Sequence, residues 1–332
     1  AAIRIWPFPS LEPIRNIEIS NMEIYHWSGS AISVDDIQEA SKRGRFFTFN
    51  PDAVRIRNNY LHHNRHGSGF GYGVSIGDGA FALIERNVFD ENRHAIAASS
   101  ADEQKRDYSG YIVRDNLILG GGGEHCPEFI LFPCWDTHQI DMHGDGNLWY
   151  SSTNWQCGTA GETILIYRNT ILYDEGPAIK IRGNPKVQAI VDSNVFRHKS
   201  KGDAIKQNGS CRAVQSSDHF NNPTFAWDIS NPIDIRPSNR FDVNPFAAVM
   251  RCNFIGDAQQ DSFVATGVTW WAHSPVTQQW RYMNTMTEGM SQLQLGDVDG
   301  DGQCDVALKP ATGQPIRQYS KGGTSDWRPA PN

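Results

Sequence analysis

The 332-residue chain lacks the features of several protein classes. It has no apolar run near the roughly 18 residues that a membrane helix needs. Its 30 Lys and Arg residues are outnumbered by 37 Asp and Glu residues, so a nucleic-acid partner has no electrostatic support. None of its six cysteines forms a CxxC pair, which argues against a zinc ribbon or a redox motif. Helical periodicity is scarce as well.

The cysteines that are present favour an oxidising compartment. An even number in a chain rich in Gly and Trp indicates disulfides. We expect Cys126–Cys134 to staple a loop and Cys252–Cys304 to lie within the C-terminal region; the alternative is six free thiols in a cytosolic protein. The predicted disulfides favour a secreted, extracellular protein, which we expect to be a monomer. The sequence shows no signal-peptide pattern and opens abruptly at Ala1, so we expect that an upstream segment was removed.

Two short phrases recur along the chain and predict its fold. Short β-branched runs bounded by turn residues indicate an all-β protein. One phrase is centred on Asn21, Asn59, Asn87, Asn116, Asn169 and Asn194. The other is a strand rich in small residues, with copies at 31–35, 73–77, 95–99, 139–143, 178–182 and 204–208. The shorter spacings between asparagines fit one coil of a solenoid, and the longer ones predict loop insertions.

The asparagines are expected to form a ladder in which each side chain bonds its neighbours above and below. This repeat resembles the right-handed parallel β-helix family that includes pectate lyases, alginate lyases and mannuronan C5-epimerases. The resemblance covers about residues 10–215 and carries the fold rather than the chemistry. We predict a right-handed parallel β-helix over residues 1–215, a linker or irregular wrap over 216–245 and a small β domain over 246–332.

The repeat also predicts two outward-facing columns, because parallel strands place equivalent residues about 4.8 Å apart. The first column is Ser33, Ser75, Ala97, Asp141, Lys180 and Lys206. The second column is Asp35, Gly77, Ser99, His143, Arg182 and Asn208. Charges packed so closely shift one another's pKa values, which indicates a functional site, and the small residues predict an open shelf for a ligand. The alternative is a surface ladder of paired ions.

The chemistry that the charged part of the columns suggests is removal of the C5 proton of a uronic acid. Lys180, Arg182 and Lys206 would stabilise the negative charge that develops beside the sugar carboxylate. His143 would act as the general base, with Asp141 as its orienting partner. Departure of the 4-O substituent would make the protein a lyase, and reprotonation from the other face would make it an epimerase.

The stretch Ile140-Asp141-Met142-His143 is similar to the Asp-x-His motif of mannuronan epimerases and related lyases, which implies that Asp141 and His143 are catalytic. It departs from the epimerases at Met142, where they usually carry Pro. It departs again at Lys180 and Arg182, which replace a further acidic residue. This cationic pair resembles the base and neutraliser of alginate lyases, so a lyase is favoured over an epimerase.

The histidines before these strands have three interpretations. His94 and His138 occupy equivalent positions, one and two coils after Tyr72, so any of the three is a candidate for the catalytic acid. A second interpretation is that the histidines are hydrogen-bonded turn residues without a role in catalysis. The alternative is a second metal site, because neutral imidazole is a common ligand. Its predicted ligands are His66, His94, His138, Asp141 and His143.

The long segments around the fifth strand copy, residues 120–137 and 144–161, are rich in aromatic residues. Trp135 and Trp149 are predicted to stack on sugar rings, although such residues also form small local cores. Glu124, Asp136 and Asp145 flank the same strand. Any of them could pair with Asp141 as the two carboxylates of a glycoside hydrolase, which stays an alternative.

The C-terminal region contains a different repeat, with copies at 256–265 and 296–307. The second copy carries D-x-D-G-D-G-x-x-D, in which alternate carboxylates and tight glycine turns form an oxygen cage for Ca²⁺. The predicted ligands are Asp297, Asp299, Asp301, Gln303 and Asp305. The motif resembles the FG-GAP or VCBS repeat of integrin-type propellers and secreted bacterial proteins. Two copies are too few for a propeller, so an accessory module is expected.

The sequence therefore predicts a secreted, carbohydrate-active enzyme that acts on an acidic polysaccharide as a lyase or uronate epimerase. A glycoside hydrolase on the same scaffold and a non-catalytic glycan-binding or adhesion protein are the alternatives.

Overall fold

The computed structural model describes residues 1–6, 16–35, 53–66, 70–77, 79–99, 109–121, 138–144, 159–208, 210–217, 223–257 and 259–331. These residues form three large parallel sheets followed by smaller antiparallel sheets, which confirms the predicted all-β class. In this part of the chain, no helix combines the length and the apolar character that crossing a bilayer requires.

Sheet A carries the predicted columns, and each of its strands comes from a different coil. Its order in space is also its order along the chain, so every coil adds one parallel strand. The strands are β1 (Ile3–Ile5), β4 (Ser30–Asp35), β7 (Tyr72–Gly77), β10 (His94–Ala98), β13 (Ile140–His143), β16 (Ile179–Arg182) and β19 (Ile205–Asn208).

Sheets B and C complete each coil in the same manner. Sheet B contains β2 (Ile17–Ser20), β5 (Val54–Arg57), β8 (Phe81–Glu85), β11 (Gly110–Arg114), β14 (Thr163–Tyr167), β17 (Gln188–Asp192) and β22 (Asp234–Ile235). Sheet C contains β3 (Glu23–Tyr25), β6 (Tyr60–His62), β9 (Val88–Asp90), β12 (Leu117–Ile118), β15 (Thr170–Ile171) and β18 (Val195–Phe196).

The interior between the sheets is a stack of aliphatic side chains. Side chains alternate between the two faces of a strand, so the apolar residues of each sheet A strand turn inward and the polar ones outward. In-register pairing then places one aliphatic residue of each coil above the next: Ile32, Val74, Ile96, Ile140, Ile179 and Ile205. This stack holds the outward columns in register.

A two-residue corner joins sheets B and C in successive coils. Its first residue adopts a left-handed conformation with φ between +54° and +57°, at Asn58, Arg86, Asp115, Arg168 and Ser193. The next residue is a buried asparagine. Asn116, for example, donates through Nδ2 to Ile84 O and to Asn169 Oδ1, both at 2.9 Å. Its own Oδ1 accepts the backbone N–H of Asn87 at 2.9 Å. The ladder thus satisfies the amides inside the stack.

The ladder differs from the predicted pattern at both ends. Met22, not Asn21, occupies the equivalent position in the first coil, since its N–H donates to Asn59 Oδ1 at 3.1 Å. Asn21 instead supplies the left-handed corner residue, with φ of 57°. At the other end the ladder continues past residue 215, where its end was predicted. Asn194 Nδ2 donates to Asn239 Oδ1 at 3.0 Å.

The region 216–245, predicted to be a linker or irregular wrap, contains this additional coil. Its strand β22 pairs with β17 of sheet B. Before it lies a hairpin of β20 (Ser210–Ser217) and β21 (Pro223–Asp228), which pair antiparallel. The short helix α1 (Lys201–Ala204) precedes β19, and a 3₁₀ turn spans Pro245–Ala247. The hairpin lengthens the spacing between the last two ladder asparagines, which hides this coil from a search by period.

The C-terminal residues form two four-stranded antiparallel sheets. Sheet D contains β23 (Met250–Cys252), β24 (Asp261–Ala265), β25 (Trp270–His273) and β26 (Trp280–Asn284). Sheet E contains β27 (Leu293–Gly296), β28 (Asp305–Leu308), β29 (Gln318–Ser320) and β30 (Arg328–Pro329). Two further 3₁₀ turns span Met290–Gln292 and Lys321–Gly323.

Sheets D and E share one hydrophobic core that includes Phe263, Trp270 and Val306. The predicted Cys252–Cys304 disulfide is confirmed, with a Cα–Cα distance of 6.0 Å. It joins β23 to the residue before β28 and so ties the two sheets together. The predicted Cys126–Cys134 pair lies outside the described residues.

The C-terminal sheets pack against the outer face of sheet C. Trp271, which is fully buried, contacts Val88 of β9 and Leu117 of β12 in one hydrophobic cluster. The Arg86 guanidinium lies 4.9 Å from the ring centre of Tyr282. The C-terminal module therefore covers one side of the β-helix and leaves the columns of sheet A on another side.

Candidate active site

Strand pairing in sheet A confirms both predicted columns. Asp141 pairs with Lys180, and Lys180 pairs with Lys206 on the next coil. In the second column, Ser99 pairs with His143, and His143 pairs with Arg182. Side chains that are some 40 residues apart in sequence thus become direct neighbours on one surface.

Asp141 lies at the centre of this surface, but its side chain is completely buried. Its Oδ2 lies 2.5 Å from His143 Nε2, 3.0 Å from His138 Nε2 and 3.0 Å from Arg182 Nη2. Its Oδ1 has no hydrogen-bond partner among the described residues. Burial alone would raise the pKa of Asp141, but the His143 and His138 imidazoles outweigh burial and hold that pKa well below its usual range. The carboxylate therefore stays ionised beneath the surface.

His143 and Arg182 extend from the buried carboxylate to the solvent. The His143 side chain is 39 % exposed and the Arg182 side chain 20 % exposed. Arg182 Nη2 also contacts His143 Nε2 directly. Lys180 is partly buried and Lys206 is exposed, so the positive charge continues across the next two strands. The arrangement presents an imidazole held by a carboxylate beside a strip of cations.

The neighbouring coils contribute a stack of three rings. The Tyr72 and His94 rings lie 5.6 Å apart at an interplanar angle of 6°, and the His94 and His138 rings lie 4.3 Å apart. His94 Nδ1 donates to the main-chain oxygen of His138. Burial lowers the pKa of His138 and lowers that of His94 well below the usual value.

Burial separates the three candidates for the catalytic acid. His94 and His138 are 1 % and 6 % exposed, so neither can exchange a proton with a glycan bound outside the sheet. Tyr72 is only partly buried, and burial raises the pKa of its phenol. Of the three predicted candidates, Tyr72 is therefore the one that reaches solvent.

Arg93 is a member of this site that the sequence did not single out. Its Nη1 donates to the Tyr72 hydroxyl at 3.4 Å, and burial lowers the pKa of its guanidinium. The one sequence signal is the repeated Asn-Arg-His phrase at 64–66 and 92–94, which marks equivalent corners one coil apart. Asn64 of the first copy is not part of the site. Its Nδ2 donates to Asn92 Oδ1 at 2.7 Å and so forms a second, shorter asparagine ladder.

Only part of the small-residue end of the columns is open, as the sequence predicted: Ser99, which pairs with His143, is exposed, and Ser75 is partly buried. Ser33 and Ala97 are 8 % and 7 % exposed. At the far edge Asp35 pairs with Arg4 at 3.0 Å, as the alternative of a structural ion pair expects. Within the two columns, the cations that reach solvent thus lie on β16 and β19, next to His143 of β13.

The histidines do not form one cluster. His62 lies on sheet C, where its Nε2 contacts Glu23 Oε1 at 3.1 Å. His66, which the sequence placed in the metal site, is exposed and lies outside the group that the structure brings together. In the described part of the chain, that group is His94, His138 and Asp141, whose ligand atoms all lie within 4.8 Å of one another. Trp135, Trp149, Glu124, Asp136 and Asp145 lie outside the described residues.

The predicted calcium loop lies between β27 and β28 of sheet E. Oxygen atoms of Asp297, Asp299 and Asp305 lie within 4.8 Å of one another. The loop closes on itself, because Asp297 Oδ1 accepts the Gly300 N–H at 2.8 Å. The Gln303 N–H donates to Asp301 Oδ1 at 2.9 Å.

An ammonium group already neutralises part of this loop. Lys321 Nζ lies 2.8 Å from Asp299 Oδ2 and 2.7 Å from Asp301 Oδ2. The hydrogen bond from Lys321 lowers the pKa of Asp299, and the same contacts raise the pKa of Lys321. The loop thus gathers carboxylates as a calcium site requires, and calcium binding stays a prediction.

No family model, curated protein or solved structure matches the chain.

Proposed function

We propose that the chain is a polysaccharide lyase that cleaves an acidic, uronate-containing glycan, and that it works outside the cell. The observation that carries the proposal is the placement of His143. Its imidazole reaches solvent, contacts a fully buried carboxylate and stands beside the cations of two further coils. An ordinary surface ion pair would leave both partners in water.

His143 is proposed to remove the C5 proton of the uronate. The buried Asp141 carboxylate holds the ring in place and favours the imidazolium that forms when the proton arrives. Because Asp141 has no exposed surface, it acts through His143 rather than on the sugar. Its role is therefore that of a positioning residue.

The cations are proposed to bind the sugar carboxylate. Removal of the C5 proton places negative charge on that carboxylate, and preorganised cations in a partly desolvated site stabilise such charge strongly. Arg182 lies next to the base, while Lys180 and Lys206 extend the strip along one column. They are suited to neighbouring uronates of the same chain.

The remaining step breaks the C4–O bond. As its electron pair leaves with the glycan oxygen, the C5 electron pair forms the C4=C5 double bond, and the departing oxygen takes a proton. Tyr72 is the proposed donor, because it is partly exposed and its raised pKa keeps its proton in place. Arg93, at hydrogen-bond distance from the phenol, would stabilise the phenolate that remains.

A hydrolase that uses Asp141 is less well supported. A general acid must hold a proton near neutral pH, whereas the surroundings of Asp141 hold its pKa well below the usual range. Its burial also prevents contact with a glycosidic oxygen. The C-terminal module, which resembles FG-GAP or VCBS repeats in sequence, is proposed to be an accessory part of the protein.

The test is incubation with alginate, polygalacturonate and glucuronate-containing polymers. A lyase produces 4,5-unsaturated ends that absorb ultraviolet light, and His143→Ala should abolish this product. His62→Gln, on the outer face of sheet C, is the matched control and should retain activity.

Two other results would overturn the assignment. Reducing ends without ultraviolet absorbance would indicate hydrolysis. Deuterium incorporation at C5 in heavy water without chain cleavage would indicate an epimerase.

A further inference from the structure

We propose that His94, His138 and Asp141 bind one divalent transition metal ion beneath the surface of sheet A, with Zn²⁺ as the best-matched ion. The proposal does not depend on the lyase activity, because a buried ion at this place would serve any function of the face above it. His94 lies on β10, His138 lies two residues before β13, and Asp141 lies on β13.

The donor set is suited to a borderline metal. Two imidazole nitrogens and one carboxylate form a three-ligand set that leaves a fourth position for water, as in catalytic zinc sites. The three ligand atoms lie within 4.8 Å of one another. His138 Nε2 lies 3.0 Å from Asp141 Oδ2, so the imidazole and the carboxylate are adjacent, and Oδ1 is the carboxylate oxygen that lacks a partner among the described residues.

The hydrogen bond of His94 sets the tautomer that a metal needs. Its Nδ1 donates to the main-chain oxygen of His138, which leaves Nε2 as the atom with a lone pair. Metal-binding histidines almost always donate their other ring nitrogen in this way, which also fixes the ring orientation. In this case one candidate ligand is oriented by the main chain of the next.

Two buried polar atoms point to a missing ligand. Among the described residues, Asp141 Oδ1 and His138 Nε2 make no aligned hydrogen bond. The 3.0 Å approach between His138 Nε2 and Asp141 Oδ2 is an ion-pair distance without hydrogen-bond alignment. Both residues are more than nine-tenths buried, and buried polar groups without partners are costly and rare. A metal ion would satisfy both at once.

The neighbouring positive charge is compatible with an ion. Arg182 contacts Oδ2 of Asp141, so Oδ1 stays available to a metal on the other side of the carboxylate. Imidazole donors select Zn²⁺ or Fe²⁺ over Ca²⁺, which prefers oxygen. This separates the site from the carboxylate loop of sheet E.

The experiment titrates chelator-treated protein with Co²⁺ and Zn²⁺ in excess Ca²⁺, which occupies the oxygen-rich loop. We expect one Co²⁺ per chain with the intense visible absorption of low-coordinate cobalt, displaced by one equivalent of Zn²⁺. Absence of that spectrum in the folded wild-type protein would overturn the proposal, whatever the variants do.

Variants then locate the ion. His138→Gln and Asp141→Asn should each weaken Zn²⁺ binding at least 10-fold, the lower end of the loss seen when metal-site partners are removed. His198→Gln is the matched control, because His198 is also buried but lies outside the cluster. Equal Zn²⁺ binding by folded His138→Gln and wild type would place the ion elsewhere and reject the assignment. A lyase assay has no part in this test, so the two proposals succeed or fail separately.

Discussion

Asp141 Oδ2 lies 2.5 Å from His143 Nε2, although Asp141 is fully buried and the His143 side chain is 39 % exposed. One contact therefore joins the interior of the sheet to its surface. The pair is reinforced by Arg182, which lies 3.0 Å from the same carboxylate oxygen although it is 41 residues away in sequence. A network of this kind responds to the loss of any one member, which makes it open to experiment.

Asp141→Asn should lower both activity and stability. The amide preserves shape but removes the charge that holds His143 and balances Arg182. We expect lyase turnover to fall about 100-fold or more. We expect the free energy of unfolding to fall by about 3 kcal/mol, because the partly buried Arg182 loses the Asp141 carboxylate as a partner. Steady-state kinetics and urea unfolding measure the two effects. Unchanged turnover in a folded Asp141→Asn protein would contradict the positioning role.

The metal-free protein should lose stability as the pH falls below about 6.5, the ordinary histidine value. Burial, aided by Arg93 and by the neighbouring imidazole, lowers the pKa of His94 in the folded state, and burial lowers that of His138 despite Asp141. The unfolded chain therefore binds protons at a higher pH than the folded one, so stability falls from the unfolded pKa downward. Tyr72, which also faces His94, stays neutral throughout this range.

Urea unfolding between pH 7 and pH 5 measures this loss. His94→Gln should make the free energy of unfolding depend less steeply on pH, because one of the two histidines with a lowered pKa has been removed. An identical slope in that variant would assign the pH dependence to other residues.

Replacing one ladder asparagine should destabilise the β-helix. Asn116→Ala leaves Ile84 O and the Asn87 N–H without their buried partners. The expected loss in the free energy of unfolding is about 2–3 kcal/mol. Asn21→Gly is the control, because Asn21 is exposed and glycine accepts its positive φ. That change should cost less than about 0.5 kcal/mol. Equal losses would mean that corner conformation, not the amide ladder, holds the coils.

Removal of Lys321 should strengthen calcium binding. Its ammonium contacts Asp299 and Asp301, so an incoming Ca²⁺ must displace it or share those carboxylates. Lys321→Met is expected to raise Ca²⁺ affinity about three- to tenfold by calorimetry. Lys309→Met, an exposed lysine just after β28, should leave the affinity unchanged. A weaker affinity in Lys321→Met would mean that the lysine supports the loop instead of competing with the ion.

Much of the β-helix could be predicted because its information is local and periodic. Each strand copy alternates apolar and polar residues, and a shift by one residue would turn the whole apolar set outward. The register of Asp141 with Lys180 and of His143 with Arg182 follows from that alternation. The pattern failed where a position tolerates more than one residue type. The left-handed corner position is occupied by Asn21 in the first coil and by arginine or serine in other coils. The asparagine at this position was therefore mistaken in the sequence for a member of the ladder.

The sequence by itself determined the fold class, the columns of sheet A and the Cys252–Cys304 partnership. Only the tertiary structure decided which charged groups are buried. Side-chain exposure depends on neighbours from coils tens of residues away, and no local pattern contains them. In the structure Asp141, His94 and His138 are buried, whereas His143 and Arg182 are partly exposed to solvent. The charged residues of the two columns and the histidines before them thus form two groups: cations and an imidazole that reach solvent, and a carboxylate with two imidazoles that are buried.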